Sequence, residues 1–183
     1  AVGGNWILEN RKKIFGKILI SGIVLLAIFN MTFYFYRYYV HYGPESWRWW
    51  HVGFKEAMQY VKSQEGNYKM AGFNNTYEPS LIRFLFWNKV DPSQFQSQYR
   101  KTLETGEIFP GFNGFMLGDK YFFGTGSKPI QEVLPSGTIY MVSARDEVPG
   151  DWDWSKNPPS GIKTLKTIRN PLNEPIFYVV AKD

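Results

Sequence analysis

Residues 18–36 read ILISGIVLLAIFNMTFYFY, nineteen residues without a charge. Wound as a helix they extend about 28 Å, close to the roughly 30 Å hydrocarbon core of a bilayer. The stretch just before them is basic: Arg11, Lys12, Lys13 and Lys17 stand against Glu9 alone. Their far end is aromatic, with Phe33, Tyr34, Phe35 and Tyr36 followed by Tyr38 and Tyr39 around Arg37. Tyrosine at that level matches the interfacial belt, and the basic flank marks the cytoplasmic side. The expected organisation is a cytoplasmic basic segment over 1–17, a transmembrane helix over 18–37 and an extracytoplasmic α/β domain over 38–183, so the cell membrane and the lipid bilayer are the expected setting. A signal peptide would have a shorter apolar core and a small-residue cleavage site. A buried core helix would carry a polar stripe. Asn30 is the one strongly polar side chain in the span, either facing other helices or a lone tolerated amide.

Charge and composition narrow the function classes. The chain has 183 residues, 21 Lys and Arg against 16 Asp and Glu, and a net charge of +5. Beyond Tyr38 sixteen bases face fifteen acids, so the basicity is mostly the N-terminal cluster. A nucleic-acid binder would spread its bases over a folded face, and no nucleic-acid partner is expected. There is no cysteine, which excludes disulfides, a thiol nucleophile and Cys-based metal sites. Aromatic residues make up 19% of the chain, which points to a membrane or carbohydrate connection. The chain opens on Ala1, and the expectation is a processed product or a piece of a longer protein.

The remainder reads as a small mixed-sheet α/β domain. Gly43-Pro44 is a turn, Ser46 a candidate N-cap, and 50–63 a helix with Val52, Ala57, Tyr60 and Val61 on its apolar face. YKMAGFN (68–74) is a strand. Pro79 opens a helix filled by SLIRFLFWN (80–88), in which Leu81, Leu85 and Phe84 or Phe86 are expected against the sheet, and Asp91-Pro92 stops it. Residues 93–107 are helical or irregular, and 108–118, with Pro110, Gly111, Gly114 and Gly118, form a loop. Strands are expected at 120–124, 138–144, 162–168 and 175–181, the last two joined as a hairpin by 169–174, with 146–161 a polar loop.

Chemistry-bearing patterns are sparse. His41 and His51 both fall in the juxtamembrane region, far from any strand–turn–helix elbow, and no metal site, phosphate loop or cofactor is expected. Asp151-Trp-Asp153-Trp154 pairs acids with indoles, a pattern that suits calcium or sugar contact, but without a third ligand a solvated loop is the simpler reading. Trp47, Trp49 and Trp50 read first as an interfacial anchor and second as a platform on which a sugar stacks. Together with Tyr77 and Glu78 they are the candidate substrate-binding residues. Asn74-Asn-Thr76 is a better-placed glycosylation sequon than Asn30-Met-Thr32 within the span, and it matters only in a eukaryotic secretory setting. No catalytic residue is assigned.

Three stretches, YVHYG (39–43), WWHVGFKEAMQYVKS (49–63) and YEPSLIRFLFWNKVDPSQFQ (77–96), resemble the extracytoplasmic C-terminal domain of membrane glycosyltransferases. The family is that of dolichyl-phosphate-mannose–protein mannosyltransferases and lipid A aminoarabinose transferases. Gly53 to Ala57, Leu85 to Trp87, Asp91-Pro92, Gln96 and the closing Ile176 to Val180 carry the likeness, while Trp87 and Phe95 stand where the family pattern has Tyr. The resemblance implies a multi-pass enzyme that moves a sugar from a polyprenyl-phosphate donor to an extracytoplasmic acceptor. Its catalytic carboxylate would lie in a first extracytoplasmic loop that this chain does not contain. The chain is then a last helix and a non-catalytic cap, whose partners are the remaining transmembrane helices of the enzyme, a lipid-linked sugar and a glycan or protein acceptor. The alternative is a single-pass anchored α/β domain that binds a glycan or protein partner. A self-contained hydrolase ranks third, for want of a nucleophile–base pair.

Overall fold

The structure is a computed structural model that describes residues 13–47, 49–76, 79–98 and 106–183. The chain divides into two compact units, Ala1–Arg48 and Trp49–Asp183. In the first, helix α1 (Ile14–Tyr36) passes into a π-helical turn (Arg37–Tyr42) and a short helix α2 (Gly43–Ser46). The apolar side chains of α1 are exposed all round, as Ile18, Leu26, Phe29 and Phe33 show. This one helix is long and apolar enough to cross a membrane. Asn30 donates from its amide to the Leu26 carbonyl within the helix at 2.8 Å. At the exit the tyrosines stack along the helix, Tyr34 on Tyr38 and Tyr38 on Tyr42, with ring centroids 6.1 and 5.5 Å apart. Pro44 is not in a turn but in the first turn of α2, where a missing N–H costs nothing.

The second unit is a seven-stranded mixed sheet, ordered β2-β3-β4-β1-β5-β7-β6. The strands are β1 (Met70–Asn74), β2 (Gly106–Phe109), β3 (Phe112–Leu117), β4 (Tyr121–Gly126), β5 (Thr138–Ser143), β6 (Lys163–Arg169) and β7 (Pro175–Lys182). β4, β1 and β5 run parallel in the middle, and the outer pairs are antiparallel. The helices are α3 (Phe54–Gln64), α4 (Ser80–Trp87), α5 (Pro92–Gln98) and the one-turn α6 (Ile130–Val133). A long apolar helix followed by a mixed-sheet α/β domain is thus the fold that the sequence predicts.

α3 begins at Phe54, later than the predicted residue 50, because Gly53 interrupts the helix at φ 89°. Any side chain there would be strained and would also meet Ile176 Cδ1 at 2.5 Å. The buried stripe is Phe54, Ala57, Met58 and Val61, the spacing of one helical face; Tyr60 is only half-buried, and Phe54 and Met58 take the place assigned to it. Phe54 packs edge-on against Phe177, with ring centroids 4.6 Å apart, and Glu56 pairs with Lys166 at 2.8 Å. In α4 the buried ring is Phe84, stacked among Phe73, Tyr121 and Phe123, while Leu81 and Leu85 are half-buried and Ile82 and Phe86 face outward. Asp91 accepts from the Ser93 amide at 2.7 Å and caps α5.

The segment 108–118 is not a loop. It is most of a β-hairpin, with Pro110-Gly111 as its turn and Gly111 at φ 80°. Gly114 sits opposite Gly124 where the two backbones nearly touch, and Gly118, at φ 63°, ends the strand. Each breaker therefore serves the hairpin.

Many aromatic residues are core. Gly72 on β1 lies between Phe122 of β4 and Tyr140 of β5 in register. Over it those two rings stack at 5.8 Å with planes 11° apart. A Cβ on residue 72 would lie 2.1 Å from the Phe122 ring. On the other face Phe115, Phe123 and Phe73 form a second ladder across β3, β4 and β1. The 19% aromatic content is thus shared between the helix exit and the interior of the sheet domain, not a membrane or sugar signal alone.

Candidate functional site

The three parallel strands end together, and their order puts the site there. β1 lies between β4 and β5, so the chain leaves it to one side and returns on the other. A crevice opens beyond the carboxyl ends of strands at such a reversal. Asn74 closes β1, Gly124 and Gly126 lie at the end of β4, and Ser143 closes β5.

A buried polar group sits at this edge. Tyr140 is fully buried, and its hydroxyl donates to Glu147 Oε1 at 2.7 Å. The Ser143 amide donates to Glu147 Oε2 at 2.8 Å, and the Asn74 amide lies beside both groups. Glu147 as a residue is half-buried, with its carboxyl end turned inward. Removal from water pushes that carboxyl up to about 7, against the pull of its three donors. The Tyr140 hydroxyl is held well above its ordinary value by burial and then by Glu147. Ser143 Oγ donates to Asp146 Oδ2 at 2.6 Å, which fixes the neighbouring acid.

In front of these groups lies a cleft of about 290 Å³, bordered by Asp146, Glu147, Lys128, Gln131, Trp152 and Trp154. Its indole wall is built, not floppy. Trp154 is 1% exposed and packs on Tyr178, and Trp152, 38% exposed, meets it edge-on at 6.1 Å. Thr164 donates to the Trp154 carbonyl at 2.7 Å. Asp153 accepts from Ser155 at 2.6 Å and from Tyr178 at 3.2 Å. Burial, reinforced by Asp153, pushes the Tyr178 hydroxyl up to about 12. The segment read as a solvated loop is therefore anchored in the core.

Of the predicted site residues, Trp47 stands in a turn of the first unit, and Trp49 and Trp50 open the second, 82% and 67% exposed. Tyr77 and Glu78 lie outside the described residues. His41 pairs with Glu45 at 3.3 Å within the first unit. The sequon at Asn74 is closed: the residue is 2% exposed, its Oδ1 accepts from the Thr76 amide and its Nδ2 donates to the Thr76 hydroxyl, both at 3.0 Å. Among the described residues no three His, Asp or Glu side chains gather to hold a metal ion. Sequence reasoning missed Tyr140 and Glu147 and left Trp152 in a solvated loop; the available signal was the acidic pair Asp146-Glu147 after the strand expected at 138–144. No family model, curated protein or solved structure matches the chain.

Proposed function

We propose that the chain is the C-terminal portion of an integral-membrane glycosyltransferase that moves a sugar from a polyprenyl-phosphate donor to an extracytoplasmic acceptor. This portion is a non-catalytic cap. The observation that supports the reading most is the direct run of one membrane-length helix, through an aromatic exit, into an α/β unit. In that unit the motif residues of the resemblance hold structural posts. Gly53 takes a conformation closed to other residues, Phe54 and Ala57 are buried, and Asp91 caps a helix. The basic residues before the helix orient it with Trp49–Asp183 outside the cytoplasm. The cap would then shape the acceptor side of an active site built by other helices. A second reading, an anchored domain that binds a protein partner, draws on the exposed Ile82 and Phe86 face of α4.

The test is the size of the native gene product. An antibody raised against residues 49–183 should detect, in membranes of the source cells, a protein far larger than 21.3 kDa. A membrane band at about the mass of this chain alone favours the second reading.

A further inference from the structure

We infer that the cleft beyond the carboxyl ends of β4 and β5 is a saccharide-binding site, in which Trp152 stacks on a pyranose ring and Asp146 and Lys128 hydrogen-bond its hydroxyls. The inference goes beyond the transferase reading and does not rest on it, because saccharide binding is observable whatever the parent protein is.

The lining chooses the ligand class. Asp146 faces a phosphate or nucleotide with like charge, and Lys128 does the same to an organic cation. A neutral ring rich in hydroxyls meets no such penalty, since each hydroxyl both donates and accepts. Its apolar C–H face needs a flat apolar partner, and Trp152 is the partly exposed indole in the cleft. Trp154 meets Trp152 edge-on at 77°, a contact that supports the exposed ring. The Asp146 carboxylate is oriented as well, by the Ser143 hydroxyl. A separate observation points the same way. Trp154 lines the cleft, and its buried indole N–H has no acceptor among the described residues. A buried donor of that kind is costly unless a bound hydroxyl or water satisfies it. At about 290 Å³ the space is close to the lower end for small-molecule sites, about 300 Å³, which suits a single ring rather than a lipid chain.

The test uses the whole chain in lipid nanodiscs with 5-fluorotryptophan at every indole, each fluorine signal assigned by Trp→Phe replacement. The probes are methyl glycosides of mannose, galactose, glucose and N-acetylglucosamine, with inorganic phosphate and tetramethylammonium as charged controls. At least one glycoside should shift the Trp152 and Trp154 signals saturably and leave those of Trp49 and Trp50 unmoved. Trp152→Ala should weaken that glycoside about tenfold or more. Asp146→Asn, which keeps the loop's packing, should weaken it with the other fluorine signals unchanged. No saturable shift at Trp152 with any glycoside, a response confined to Trp49 and Trp50, or tighter binding of either charged control would overturn the inference.

Discussion

Replacing Glu147 by Gln should make the folded chain more stable at pH 8 and leave it nearly unchanged at pH 4. The carboxyl is raised from 4.5 to about 7 mainly by burial. Between those two values the folded state keeps a proton that the unfolded chain has released. Stability therefore falls as pH rises through the window and levels off above it. The full displacement corresponds to about 3 kcal/mol. The introduced glutamine amide imitates the protonated acid. Its Oε1 can accept the Ser143 amide, and its Nε2 can donate to the Tyr140 hydroxyl. That hydroxyl can then turn to the Gly124 carbonyl, already 3.4 Å away. The assay is urea denaturation of both proteins in detergent from pH 4 to 8.5, followed by tryptophan fluorescence. The stability difference between them should grow across the window to about 2–3 kcal/mol. Asp153, held below its ordinary value first by the Ser155 hydroxyl, titrates beneath this range and is common to both proteins. A difference that stays flat with pH would refute the inward placement of the carboxylate.

Gly72→Ala should cost about 3 kcal/mol in the same assay, because its methyl would enter the Phe122–Tyr140 stack, whereas Gly66→Ala, with open space around it, should be nearly neutral. Phe84→Ala should cost about 3–5 kcal/mol and Phe86→Ala about 0.5 or less, a contrast that follows from 2% against 75% exposure; equal costs would mean that α4 is rotated. A reporter fused after Asp183 should be active only if it is of the kind that works outside the cytoplasm, and a signal from a cytoplasmic reporter there would reverse the assigned orientation.

Elements with one strong period or one uninterrupted run were legible in the sequence. The uncharged 18–36 run, the closing strand with its apolar run from Ile176 to Val180, and the helix opened by Pro79 lie about where the residues put them. The β2–β3 hairpin was not legible, because glycine and proline act there at close quarters between strands, and only the partner strand reveals it. Ser46 was misjudged for a related reason. It belongs to α2, and the feature that starts α3 is the backbone of Gly53. The site was the least legible part. Tyr140 reads as one more apolar strand residue and Glu147 as one more loop acid. Their meeting depends on the β5 chain turning back through the Ser143 amide. Trp152 and Trp154 sit among Asp and Pro, and nothing local shows that one indole is core and the other a wall.

The central claim, a non-catalytic cap of a larger sugar transferase, is tested most directly by transfer assays with a polyprenyl-phosphate sugar. The comparison is between membranes carrying the native gene product, membranes in which the coding region for residues 49–183 is deleted, and the purified chain of residues 1–183. The account predicts transfer in the first, impaired transfer in the second and no turnover by the purified chain. Turnover by the purified chain alone, or full transfer by membranes lacking residues 49–183, would contradict it.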